Sequence, residues 1–341
     1  MGNLIQHLHI KNYKSVRDLT LECDRINVFI GKPNAGKSNV LEAISLLGVN
    51  FLKPGYEGKF LNSVVRYKSL VHLFSNFNAR IPIEVIANHE TVVQIVAEKN
   101  SDVNSDFTFS ITSDGLTRLN IAALEVNIAS NGDYKAAGTR DPNPKISPVK
   151  KYEFRGIIEK NSNGLSLLAP HGDNFYSVAE STPKLREEIQ EFLKPNGLEF
   201  LLDVENQRMA VVQKTEDTLL SFPLHLVPGT FQRYIFHMAA IMSNSDSVLL
   251  FEEPESHSYA PYVYQLAQHI LNDEGGNQYF ITTHSPYFLL PLLQEGKDVA
   301  VFATWFEDYQ THARRLSEEE IREMLDYGVD IFLNLDHLSA A

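Results

Sequence analysis

Residues 26–47 read INVFIGKPNAGKSNVLEAISLL, and they carry three elements in succession. Ile26–Ile30 is an unbroken apolar run of the length of a buried strand. Gly31-Lys32-Pro33-Asn34-Ala35-Gly36-Lys37-Ser38 follows directly and fits the pattern G-x-x-x-x-G-K-[ST]. Val40, Leu41, Ile44, Leu46 and Leu47 then recur at helical spacing. Strand, glycine-rich loop and helix start in that order make an anion cradle. Backbone N–H groups and the helix N-terminus face the ligand, Lys37 brings a charge to the β- and γ-phosphates, and the Ser38 hydroxyl reaches Mg²⁺. A glycine-rich surface turn would have no reason to lie between a buried strand and a helix.

A phosphate cradle hydrolyses nothing alone; the metal must be held and a water oriented. Ser247–Phe251 reads SVLLF, a second buried-strand run, and it ends in Glu252 and Glu253 before Pro254 breaks it. Acids at the C-terminal end of a buried strand lie at the sheet edge where α/β proteins bind ligands. Glu252 is therefore expected in the Mg²⁺ shell and Glu253 on the attacking water. A third run, QYFITTH, ends in Thr282, Thr283 and His284. Most of the twelve histidines are read as structural. His284 stands apart by its company, with a ring N–H suited to a γ-phosphate or an attacking water.

Working outward, TFQRYIFHMAAIM and YAPYVYQLAQHILND are helical segments that alternate with these strands, the pattern of a parallel α/β architecture. The opening, Leu4 to Ile10 and then Leu19 and Leu21, reads as strands. From about Ile81 to Leu224 the texture changes to short β-type runs such as IPIEVIA, TVVQIVAE, FTFSIT and RMAVVQ. NGD, DPNP, SNG and PNG turns separate them. One helix is expected there, STPKLREEIQEFLK, capped by Ser181 or Thr182 and ended by Pro195-Asn196-Gly197. The expected fold class is α/β, a P-loop nucleoside triphosphatase head with a mixed or parallel sheet and flanking helices. It is built from residues 1–80 and 220–341 around a β-rich insertion over 81–219. A helix SEEEIREMLDYG and the segment VDIFLNL close the sequence.

Hydrophobic residues at 43% and charged residues at 21% are globular values that exclude disorder and rod-like repeats. Thirty basic against forty-three acidic side chains leave −13, a field that repels nucleic acid unless a local patch overrides it. Lys145, Lys150, Lys151, Arg155 and Lys160 are one such cluster; interrupted by Glu153 and Glu159, they read as a solvated loop and strand face. The single cysteine, Cys23, and an N-terminus without an apolar h-region point to the reducing cytoplasm. No apolar run approaches the about 20 residues of a membrane span. Zinc spacings, nucleophile elbows and an Asn-Lys-x-Asp guanine-reading run are all lacking from the sequence.

INVFIGKPNAGKSNVLEAI, SVLLFEEPESH and YFITTHSPYFL, in that order with a long insertion between the first two, resemble the ABC-type ATPases of the RecF, SMC and OLD (overcoming lysogenization defect) group. The match is closest to OLD-like, AAA-type ATPases that lack a fused nuclease domain. The resemblance implies ATP and Mg²⁺ as ligands, with Lys14 of KNYKS approaching the nucleotide from the first hairpin. It implies a phosphate loop of Gly31, Asn34, Ala35, Gly36, Lys37, Ser38 and Asn39, and metal ligation by Ser38 and Glu252. Glu253 takes the place of the catalytic glutamate and His284 that of the switch histidine, beside Lys37. Such heads pair head-to-tail as homodimers or higher oligomers. The segment that each offers to the other's ATP falls here on Val227-Pro228-Gly229-Thr230, with Gly229 and Thr230 as nucleotide contacts. Pro228 stands where the family has serine and offers neither hydroxyl nor N–H; Thr230 or Arg233 is available to substitute, and turnover is expected to be slow or partner-dependent. No glutamine is singled out for the loop that couples the insertion to the metal; Gln94 is available.

The function this implies is a Mg²⁺-dependent ATPase head that dimerises with nucleotide. It would drive or regulate a separate effector, a nuclease or toxin, in bacterial defence against phage. Two alternatives stand beside it: a DNA-associated repair or recombination ATPase using residues 145–160, and a nucleotide-gated scaffold with negligible turnover.

Overall fold

The computed structural model describes residues 4–51, 57–89, 91–99, 107–115, 124–128, 134–137, 146–157, 162–326, 332 and 335. Its first elements are strands β1 (His7–Tyr13), β2 (Val16–Glu22) and β3 (Ile26–Ile30), then helices α1 (Lys37–Ser45) and α2 (Glu57–Val64). A β-rich stretch follows: β4 (Ile83–Ala87), β5 (Thr91–Lys99), β6 (Phe107–Gly115), β7 (Leu124–Ile128), β8 (Tyr134–Ala137) and β9 (Val149–Tyr152). Helices α3 (Phe175–Ser181) and α4 (Pro183–Leu193) precede β10 (Leu198–Asp203), β11 (Arg208–Lys214) and β12 (Leu219–Pro223). The last part alternates: α5 (Gly229–Met242), β13 (Val248–Glu252), α6 (Ala260–Leu271), β14 (Gln278–Thr282), α7 (Pro286–Glu295), β15 (Val299–Glu307), β16 (Gln310–Arg315) and α8 (Glu318–Asp326).

A six-stranded sheet in the order β16-β15-β3-β14-β13-β9 forms the centre. All its pairings are parallel except the antiparallel edge pair β15–β16. INVFI, VLLFE and QYFIT are near-continuous apolar runs because both faces of this sheet are buried. Alternate residues serve opposite cores. Ile26, Val28, Ile30, Leu249, Phe251, Tyr279 and Ile281 pack with α5, α6 and α7. Phe29, Val248, Leu250 and Phe280 pack with α1 and the first hairpin.

The first hairpin does not stand alone. β1 pairs with β4, which joins the N-terminal strands to β5–β8 in a seven-stranded sheet that is antiparallel throughout. A smaller antiparallel sheet, β10-β11-β12, lies beside α4. The segment 81–219, read as a β-rich insertion, contributes β9 to the central sheet through its parallel pairing with β13. Among its described residues it also carries two α-helices. α4 is the expected one, with Pro183 in its first turn. α3 is seven residues, FYSVAES, too short to show a period and without a side-chain cap. The NGD and DPNP turns at 131–133 and 141–144 lie outside the described residues, as does most of the closing segment 329–335. Among the described residues no helix is long and apolar enough to cross a membrane.

Candidate active site

Parallel strands bring their C-terminal ends to one edge, and register fixes which residues meet there. Glu252 pairs with Thr282 across β13–β14, and Thr282 with Phe29 across β14–β3. The loop after β3, the acids after β13 and the histidine after β14 therefore share one rim. A cavity of about 970 Å³ opens on it. Asn34, Gly36, Lys37, Ser38, Asn39, Glu252, Glu253 and His284 all line this cavity.

The glycine loop curls around its own lysine. Lys37 Nζ donates to the carbonyls of Gly31 and Lys32, both at 2.9 Å, and the residue is only 5% exposed. Burial pushes its ammonium below the ordinary lysine range; Glu253 and Glu252 oppose that shift. Gly36 has φ +95°, a left-handed conformation. A Cβ there would stand 1.9 Å from Thr311 Oγ1 and 2.9 Å from Ser15 Oγ. Gly36→Ala is therefore expected to cost about 2–4 kcal/mol in stability through backbone strain and overpacking, with loss of nucleotide affinity. Thermal unfolding and a nucleotide titration of that variant measure both.

Glu252 is held by cations. Arg66 Nη2 reaches its Oε1 at 2.9 Å and Lys151 Nζ lies 3.4 Å from Oε2. Burial pushes the Glu252 carboxyl up, but Lys151, the Ser38 hydroxyl that donates to it and Arg66 together bring it below the ordinary glutamate range. Glu253 follows with φ +44°, its N–H bonded to Thr282 O at 3.0 Å. Its Oε1 is 3.5 Å from His284 Nε2, and its Oε2 accepts from the Ser256 hydroxyl at 3.1 Å. Burial lowers the His284 imidazole from its ordinary value; Lys37 adds to the shift and Glu253 opposes it. The shift favours the neutral ring, in which one nitrogen is a donor and the other an acceptor.

Lys14 is placed differently. Its ammonium meets the fully buried carboxylate of Glu42 and the carbonyl of Arg66, the latter at 2.7 Å, and it does not line the cavity. Burial pushes Lys14 down and Glu42 opposes this. Glu42 also accepts from Arg66 Nε at 2.8 Å and Tyr13 O–H at 3.1 Å. This one carboxylate ties the first hairpin, α1 and the segment after α2 together. Glu42→Ala leaves Lys14 and Tyr13 facing a hole, and is expected to cost about 3–5 kcal/mol in unfolding free energy, measurable by denaturant titration.

Gly31 and Ala35 belong to the loop but lie outside the cavity lining, as do Gly229 and Thr230. Gly229 opens α5 behind Pro228, and the two α5 residues that reach the cavity are Arg233 and His237. Gln94 is on β5, bonded to Glu84 at 3.0 Å and away from the cavity. Two members of the basic cluster, Lys150 and Lys151, turn away from the solvated face expected of them. Lys151 is 6% exposed and donates to Val64 O at 3.2 Å, and Lys150 turns to Ser166 and Asn244, because β9 is a strand of the central sheet. Arg155 pairs with Glu153, and Lys145 and Lys160 lie outside the described residues. Two residues on Glu252, Arg66 and Lys151, had no motif to announce them there; Arg233, offered in place of the missing serine, does line the cavity, its guanidinium stacked on Phe154 at 4.9 Å.

The family model for the AAA ATPase domain matches residues 4–211, more than half of the chain. The chain belongs to this family. It is an ATPase with a P-loop. A relative from Helicobacter pylori named "ATP/GTP phosphatase" is 22% identical over 323 residues, covering 84% of this chain and 86% of that protein. Among solved structures, an SMC head bound to the C-winged helix domain of ScpA superposes with a TM-score of 0.51 at 14% identity, over 94% of this ATPase and 99% of that chain. That likeness shows the fold, an ABC-type head.

Proposed function

We propose that this ATPase is a Mg²⁺-dependent head that hydrolyses ATP between Lys37, Glu253 and His284 and closes on a second copy when nucleotide is bound. The observation that carries this is the convergence of eight motif residues from three separate stretches of sequence on one cavity rim. In this reading Lys37 holds the β- and γ-phosphates with the loop from Gly31 to Asn39. Glu253 orients and polarises the attacking water, and neutral His284 meets the γ-phosphate from the other side.

The residues fit a magnesium ion. Ser38 and Glu252 supply a hydroxyl and an ionised carboxylate, hard oxygen donors already bonded to one another. Among the described residues no cluster of three His, Cys, Asp or Glu side chains could hold a metal. Mg²⁺ needs no such cluster, since it keeps waters and takes its other ligands from substrate phosphates. Bound there, the ion would neutralise charge on the phosphates. Glu252 is pre-ionised for it by Lys151 and Arg66.

Nucleotide-driven pairing is supported by the place of Gly229, exposed, and Thr230, half-buried, at the head of α5 and outside their own chain's cavity, where they can meet another copy's nucleotide. The motif resemblance to OLD-like ATPases without a fused nuclease supports a separate effector and a setting in defence against phage. The relative's name supports a purine nucleoside triphosphate as substrate. Light scattering in a slowly hydrolysed ATP analogue with Mg²⁺, against ADP, tests the pairing. Doubling of mass in the analogue alone is expected, and an unchanged monomer in both would refute it.

A further inference from the structure

Glu255 lies on the turn after β13 and does not line the nucleotide cavity. Its Oε1 accepts two hydrogen bonds from the loop that follows β14: the Thr283 hydroxyl at 2.6 Å and the His284 backbone N–H at 2.9 Å. Thr283 Oγ1 in turn accepts from the Ser285 N–H at 3.0 Å, at the entry to α7. The second oxygen, Oε2, is enclosed yet meets no donor among the described residues.

Packing does not call for an acid here: the turn is already pinned by Glu253 N–H on Thr282 and by Ser256 N–H on Glu253 O. What Oε1 adds is a tether on the backbone of His284 itself. That tether fixes where the ring stands, 3.5 Å from the Glu253 carboxylate.

We propose that Glu255 is a positioning residue for turnover: one carboxylate oxygen, holding the Thr283 hydroxyl and the His284 N–H, sets the His284 ring against Glu253 and the phosphate loop. This rests on the part that His284 plays in the proposed function, and the experiment separates the two.

The full chain is compared with Glu255→Ala, Glu255→Gln, Thr283→Val, His284→Ala and the double variant Glu255→Ala/His284→Ala. ATP affinity is read by equilibrium binding and kcat by phosphate release. Glu255→Ala is expected to lower kcat about 10- to 100-fold through misplacement of the ring, with ATP affinity held within about twofold. Glu255→Gln keeps kcat near wild type because its amide oxygen accepts both bonds. Thr283→Val removes one of the two donors and falls between. In the His284→Ala background Glu255→Ala costs nothing more, because residues that act as a unit are not additive. If Glu255→Ala does not fold, the same cycle is run with Thr283→Val. A full loss in the His284→Ala background overturns the proposal, as does a Gln variant as impaired as Ala. An unaltered Glu255→Ala beside an impaired His284→Ala overturns the positioning role alone. An unaltered His284→Ala overturns the role of His284 and the positioning proposal with it.

Discussion

Lys37→Ala is expected to abolish measurable ATP binding, lowering affinity at least about 100-fold. Two carbonyls of the loop, Gly31 O and Lys32 O, hold the ammonium inside the curl where phosphate oxygens would lie. Charge-assisted bonds to phosphate are about twice as strong as neutral ones. Losing those of one lysine removes about 3 kcal/mol, which is a factor of about 100. The same change frees two carbonyls that the ammonium satisfies, so the loop itself loses its shape. Titration with a fluorescent ATP analogue reads the effect, and circular dichroism checks that the fold is retained. An affinity within about threefold of wild type would remove Lys37 from the site.

Glu253→Gln is expected to do the opposite to binding and more to chemistry. The amide keeps the shape of the carboxylate and its hydrogen bond to Ser256, so ATP still enters. It cannot take a proton from water, and loss of a general base costs about 10²- to 10⁴-fold in rate. Trapped in the ATP state, the variant should accumulate as a closed dimer. Steady-state phosphate release together with solution mass reads both consequences. A rate within about threefold of wild type would assign the water to another group. If wild type itself binds ATP and pairs without turnover, Pro228 is the first place to look, since it withholds the hydroxyl and N–H that a serine would give.

The parts of this site that could be read in the sequence are those with a one-dimensional signature. INVFI, SVLLF and QYFIT are legible because a strand buried on both faces is apolar without interruption, and the residues just past the end of such a strand lie at the ligand edge. The glycine loop is legible because its spacing is set by the phosphate it wraps. β9 is not. Its four residues, VKKY, carry two lysines whose aliphatic stems run through the interior while their heads find Val64 O, Glu252, Ser166 and Asn244. A hydropathy pattern takes such a strand for surface. Arg66 is hidden for another reason. Its partners Glu42 and Glu252 lie 24 and 186 positions away, and no local pattern marks a residue whose purpose is a long-range ion pair. Thr311 and Ser15, which explain why Gly36 must be glycine, were equally silent, because they belong to hairpins that reach the loop only in three dimensions.

The most direct measurement is a single-turnover assay of the purified chain in excess over ATP with Mg²⁺, following release of the γ-phosphate. Stoichiometric phosphate from wild type, with none from Lys37→Ala and almost none from Glu253→Gln, is the predicted result. Tight ATP binding by wild type with no phosphate released over hours would contradict a hydrolytic site built from Lys37, Glu253 and His284.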